Sequence, residues 1–240
     1  MKPRFPASTE RLHLILMLVL TFSTGVVDAV GYLGLDRVFT GNMTGNVVVL
    51  GMALAGGANL PVLRPALALL GFMLGAAIAG RLLRNAAPGW CHRTSGAFLA
   101  VAVGLIAIAL FTGLVPGGAK DTAGTVVTSI LAVMMGIQAG TARRLKVTDV
   151  TTVVVTSTIT ALASESRLAG GSGAFWVRRA LAIVLILLGA VAGGTALHWH
   201  LWLGLAISAA LTTAVVAVGH ARYRREAAAG SGAEHQSVGG

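Results

Sequence analysis

The 240-residue chain holds a single cysteine, Cys91, which excludes an internal disulfide and argues against a metal cluster, leaving a loop thiol as the simplest reading. Charge is equally scarce. Only 11% of residues are Asp, Glu, Lys or Arg, 55% are hydrophobic, and the mean hydropathy is +0.82, a balance that excludes a soluble globular domain. Also absent are a glycine-rich phosphate loop, a zinc-protease pattern and a nucleophile–base set, so the chain does not read as an enzyme and calls for no cofactor. His198 and His200 flank Trp199 without a third ligand and fit an interfacial turn better than a metal site. The net charge of +10 would suggest nucleic acid in a soluble protein. Here the basic residues fall in short clusters between apolar runs, as orientation signals do, so nucleic acid is not an expected partner.

What the chain has is hydrocarbon. Apolar segments lie at 12–35, 44–57, 63–83, 95–114, 122–142, 150–166, 174–196 and 200–220. The first is too long for a cleaved signal and reads as a retained helix. Those at 44–57 and 150–166 are the shortest and richest in Gly, Asn, Thr and Ser, whereas a span needs about 20 residues. They read as broken or re-entrant helices. If they enter and leave on one side, fifteen Lys and Arg fall on the inner side and only Arg37, Arg64 and Lys120 outside; eight full spans would divide them eleven to seven. The positive-inside rule favours the first arrangement, six full spans with both termini cytoplasmic. Trp90, Trp176, Trp199 and Trp202 suit interfacial belts, and residues 226–240 read as a disordered tail.

The sequence also repeats. Ala66-Leu67-Ala68 with Gly75-Ala76 and Gly80 recurs as Ala180-Leu181-Ala182 with Gly189-Ala190 and Gly194, an offset of 114 without a gap. Each matched helix follows a Thr-rich short segment. Aligning residues 44–46 with 156–158 gives an offset of 112. The expectation is one membrane domain, 1–240, of two halves, 12–116 and 120–221. Three spans per half make their topologies inverted. Gly75-x3-Ala79 and Gly189-x3-Gly193 are small-residue pairs suited to close contact between the halves.

Few residues carry chemistry. Asp28 is the one acidic residue inside an apolar run, where a carboxylate costs roughly 2.5–3.5 kcal/mol. It is a candidate proton or cation site, unless it is simply hydrated or paired with Arg37. Asn42, Thr44 and Asn46 precede a helix-like run that Thr44 or Asn46 would cap, and such a half-helix start favours an anionic or carbonyl-bearing solute. Gln138 is the strongest polar group on the fifth span. Thr151, Thr152, Thr156, Thr158 and Thr160 offer hydroxyls, of which Thr156 and Thr158 are preferred because the repeat sets them opposite Thr44 and Asn46. Asp149 reads as a cap.

Val27-Asp28-Ala29-Val30-Gly31-Tyr32, with Phe39 and Asn42-Met43-Thr44-Gly45-Asn46, resembles the signature of the YoaK-type family of small bacterial integral membrane proteins. Gly136-Ile137-Gln138-Ala139 and residues 151–158 resemble its second block, with Ser157 a departure from the Thr-Gly pair common there. The resemblance implies a multi-pass protein of the bacterial inner membrane and no particular activity. Taken together, the expectation is an all-α polytopic fold with six full spans and two broken helices meeting at a site lined by Asp28, Asn42, Thr44, Asn46, Gln138, Thr156 and Thr158. Its expected role is secondary transport of a small solute, with Asp28 a candidate for proton coupling; a channel or a non-transporting scaffold is the alternative. The expected partners are the bilayer and that solute, and a homo-oligomer is compatible with the sequence.

Overall fold

The computed structural model describes residues 7–57, 60–87, 89–115, 117–145 and 155–238, and every element among them is helical. Six helices are long and apolar enough to cross a bilayer: α1 (Ala7–Gly34), α3 (Leu63–Leu82), α4 (His92–Leu114), α5 (Asp121–Leu145), α7 (Trp176–Ala196) and α8 (Leu201–Val238). Two are short, α2 (Met43–Leu54) and α6 (Val155–Ser164). At 1.5 Å per residue they reach about 18 and 15 Å, well under the ~30 Å of hydrocarbon. The sequence expected these eight segments within a few residues. It did not anticipate α8 continuing to Val238 through the residues read as a disordered tail.

Side-chain pairs fix which helix ends lie together. At one end of the bundle Thr9 Oγ1 donates to Glu226 Oε1 (2.6 Å), the His13 and Trp90 rings stack 6.0 Å apart, and Arg144 donates to the Arg84 carbonyl (3.0 Å). This end gathers the starts of α1 and α4 and the ends of α3 and α5, with the basic cluster of α8, Arg222, Arg224 and Arg225. At the opposite end Arg64, at the start of α3, donates to Thr125 Oγ1 (3.1 Å) and the Asp121 carbonyl (2.9 Å) at the start of α5. The chain therefore leaves α1 and enters α3 at the same end, so α2 does not traverse the bundle. By the same reasoning α5 delivers the chain to the end where α7 begins, and α6 returns there.

The packing recurs in pairs. α1 lies along α7, and α5 along α3, both parallel; α1 also packs on α8 as α5 does on α4, and α2 on α3 as α6 does on α7. Glycines make the close approaches. A side chain at Gly75 would collide with the Val133 carbonyl and the Ile137 amide, and one at Gly136 with the Phe72 carbonyl and the Ala76 amide. In the other pair Gly189 meets Phe22 and Val26, and Gly25 meets Ile186 and Ala190, through the same backbone atoms. The corresponding residues of α3 and α7 are 114 apart, and those of α1 and α5 are 111 apart. Small residues at these points let the helix backbones touch, which is how packing is gained where lipid supplies no hydrophobic drive.

One local expectation is corrected and another sharpened. Trp90 is only 8% exposed, its ring packed on Phe98 and against the backbone of Gly219, and its Nε1 donates to Ser95 Oγ (2.8 Å). It is a core residue, not part of a belt; Trp176 and Trp199 are exposed as a belt requires. Cys91 is a free thiol in the connection just before α4, as expected of a loop thiol, but it is buried, with Sγ 3.3 Å from Thr94 Oγ1.

Candidate functional site

After Gly34 the backbone turns sharply, with Asp36 and Arg37 in the left-handed region (φ 67° and 57°), and residues 38–42 run back alongside α1. The α1 sequence is shaped to receive them. Gly31 leaves room for the Val38 carbonyl, which a side chain there would strike, and the Tyr32 ring stacks on Phe39 at 4.7 Å. Three residues earlier the Asp28 carboxylate meets the segment's amides. Its Oδ1 accepts hydrogen bonds from the backbone N–H of Thr40 (3.0 Å), Gly41 (2.6 Å) and Asn42 (3.4 Å) and from Thr40 Oγ1 (3.4 Å). Asp28 lies six residues before the end of α1, about 9 Å below it. Backbone that leaves the helix at that depth must have its polar groups met by protein, and this carboxylate meets them.

Asn46 completes the attachment. Its Nδ2 donates to the Phe39 carbonyl (2.6 Å) and its Oδ1 accepts from the Phe39 amide (2.9 Å), so one side chain pairs with both polar groups of one residue. Asn42, and neither Thr44 nor Asn46, caps α2, with Oδ1 accepting from the Gly45 amide (3.1 Å). Asn46 is unavailable as a cap because Phe39 occupies both ends of its amide. Thr44 is exposed, and no hydrogen bond involves its side chain among the described residues. Asn42 is exposed as well, while Asn46 is 1% exposed. The start of α2 thus already has its anion: the protein's own Asp28 takes the place expected for an anionic solute.

Beneath this attachment lies the crossing of α1 and α5. Gln138 is 1% exposed and donates through Nε2 to Thr24 Oγ1 (3.1 Å), one turn below Asp28 on the same face of α1. Thr24 has already given its proton to the Leu20 carbonyl (2.9 Å), so it can only accept from Gln138. That fixes the orientation of the amide and turns Oε1 away from Thr24. Gly41 joins the two levels: a methyl there would lie 3.2 Å from Thr24 Cγ2, 3.4 Å from Asp28 Oδ1 and 3.4 Å from Met135 Cε. Most hydroxyls in the bundle, such as Thr21, Thr128 and Thr212, are spent on the carbonyl one turn back. Three buried side-chain atoms have no partner among the described residues, namely Ser23 Oγ, Gln138 Oε1 and Thr141 Oγ1. All three lie within one turn of the Thr24–Gln138 bond.

The second short helix is held elsewhere. α6 packs on α7, where Arg179, 4% exposed, donates to the Ala161 carbonyl (3.1 Å) and pairs with Glu165 (2.8 Å). Thr156 is exposed and its carbonyl accepts from Thr160 Oγ1 (3.0 Å); Thr158 is buried. No packing of α6 on α2 stands among the substantial helix contacts of the described residues, so Thr156 and Thr158 are not brought to Asp28. Asp149, Thr151 and Thr152 lie outside the described residues. Among those residues no three His, Cys, Asp or Glu side chains come together as a metal site.

Asp28, Asn46 and Gln138, singled out in the sequence, stand together with Thr24 and Met135, which were not; nor was Arg179, which holds α6. The signal for Thr24 was present, since it stands four residues before Asp28. Nothing in the sequence set Arg179 apart from Arg178.

The family described as "Protein of unknown function (DUF1275)" matches residues 16–218, which include all of this centre. Over 192 residues the chain is 30% identical to "UPF0700 transmembrane protein YoaK" of Bacillus subtilis (strain 168), covering 73% of this chain and 80% of that protein. No solved structure matches.

Proposed function

The chain belongs to the DUF1275 family, and from that premise we propose that it is a secondary carrier for a small solute, not an enzyme, seated in the bacterial inner membrane with both termini cytoplasmic. The carrier consists of two halves of inverted topology, 12–116 and 120–221, with α2 and α6 re-entrant from opposite faces. The matched helix pairings and the constant offsets of 111 and 114 between their touching residues support the halves. The excess of Lys and Arg on one side supports the orientation. One observation carries transport above a static role: Ser23 Oγ on α1 and Gln138 Oε1 and Thr141 Oγ1 on α5, buried and without a partner among the described residues, stand within one turn of the Thr24–Gln138 bond. At membrane depth an unmet polar group costs free energy, and such groups collect where a polar ligand passes. α1 and α5 also touch each other far less than they touch α7 and α3, so the seam between them can open without breaking the main packing.

The test is access. Cysteine placed at Thr24 or Gln138, in a background with Cys91 replaced by Ser, should react with an impermeant thiol reagent from either side of sealed vesicles. Linking Asp36 to Arg64 through introduced cysteines should close the Arg64 side alone. A static scaffold gives no labelling from either side; a channel is open to both sides at once and conducts ions by rapid, uncoupled flux. Either result would refute the carrier.

A further inference from the structure

Two acceptors of this centre have no donor to serve them among the described residues. Gln138 Oε1 is fixed as the outward-turned atom of its amide because Thr24 Oγ1 can only accept, and it is buried without a partner among the described residues. Asp28 gives Oδ1 to the turn at residues 40–42, while no hydrogen bond reaches its Oδ2 among the described residues, and the side chain is only part-buried. The ion pairs among those residues, Arg64 with Asp36, Arg179 with Glu165 and Arg222 with Glu226, leave Asp28 without a cationic neighbour. The α2 N-terminus, which taken alone would draw an anion, is already filled by this same carboxylate.

We propose that Asp28 Oδ2 and Gln138 Oε1 are the acceptor pair of a binding site for a small monovalent cation, between α1, α5 and the turn at residues 40–42. It deepens the carrier reading, on which it rests, by naming the sign and size of what the centre holds. One carboxylate and one amide oxygen balance one positive charge. Divalent ions are commonly held by more than one carboxylate. Size is limited by the wall, because Thr24 Cγ2, Met135 Cε and Asp28 Oδ1 already stand 3.2–3.4 Å from where a single methyl on Gly41 would be. Alkali and ammonium-type ions share the chemistry such a pair selects, a compact positive charge that bonds to oxygen.

The full-length protein purified in detergent provides the test, by thermal unfolding in chloride salts of sodium, potassium, ammonium and methylammonium, with choline chloride holding ionic strength constant. One or more of the small cations should raise Tm saturably, by roughly 4–8 °C at about thirtyfold above Kd, with choline inert. Exchanging chloride for sulfate, phosphate or acetate as choline salts should change nothing. Gln138→Leu should weaken the apparent affinity about tenfold or more, the loss expected for a bond to a charged partner. Gln138→Glu, which adds a negative charge without changing shape, should tighten it, and so keeps the test sharp if the leucine variant does not fold. Stabilisation by anions, by choline as strongly as by small cations, or by pH alone overturns the proposal, as does unchanged affinity in both Gln138 variants. A protein that passes the cysteine-access test and fails this one keeps the carrier and loses the cation.

Discussion

Removing the Asp28 side chain should detach residues 40–42 from α1, and the size of the effect can be worked from its bonds. Two of the three backbone donors, on Thr40 and Gly41, are buried and short (3.0 and 2.6 Å); the third, on exposed Asn42, is long (3.4 Å) and can turn to another acceptor. Leaving a buried donor unmet costs about 1–3 kcal/mol, so Asp28→Ala should destabilise the protein by about 2–6 kcal/mol. Asp28→Asn keeps an acceptor but removes its charge. A bond to a charged group is worth about 1 kcal/mol more than a neutral one, so the two short bonds give a loss of about 2 kcal/mol. Reversible unfolding in mixed micelles measures the totals, and hydrogen exchange locates them, with faster exchange of the Thr40 and Gly41 amides and little change in α4 or α8. Asp28→Ala protein that loses under about 1 kcal/mol, with both amides still protected, would show that the carboxylate does not hold the segment.

Other expectations follow from single contacts. Asn46→Asp puts an oxygen against the Phe39 carbonyl in place of a donor at 2.6 Å, so it should lower Tm more than Asn46→Ala does. Gly75→Leu and Gly189→Leu should each block insertion or sharply destabilise, because their side chains would strike Val133 and Phe22 backbone, whereas Gly80→Ala, with open space around it, should be within about 0.5 kcal/mol of the parent in the same unfolding assay. Arg179→Met strips the Ala161 carbonyl and Glu165 of a buried partner and should cost about 1–3 kcal/mol, below the roughly 3–5 kcal/mol of a fully buried broken pair because Glu165 is 54% exposed. Arg178→Met, which loses only a stack on the half-exposed Phe175 ring, should be near neutral; equal melting of the two variants would contradict the burial of Arg179.

Much of the architecture was legible because it depends on quantities that add along the chain. A run of 20 apolar residues spans, twelve do not, and clustered arginines bias orientation, whatever the helices later pack against. The same holds for the glycines at 75 and 189, whose spacing already marked a face built for close contact. Asp28 was legible as an anomaly for a related reason: a carboxylate in an apolar run costs enough to demand an explanation. The explanation was not legible. The start of α2 needed an acceptor and a cap, and Asp28, Asn42, Thr44 and Asn46 could each have filled either place.

By itself the sequence determined that six apolar helices cross and two short ones interrupt them, because helix length and hydrophobicity are local properties that lipid reads directly. Only the tertiary structure decided which polar atom meets which. It gave Asp28 Oδ1 to the turn at residues 40–42, Asn46 to Phe39 and Gln138 Nε2 to Thr24, and left Gln138 Oε1 without a donor among the described residues. A hydrogen bond depends on a few tenths of an ångström between residues as far apart as 24 and 138, and that distance is set by how α1 packs on α8, α8 on α4 and α4 on α5.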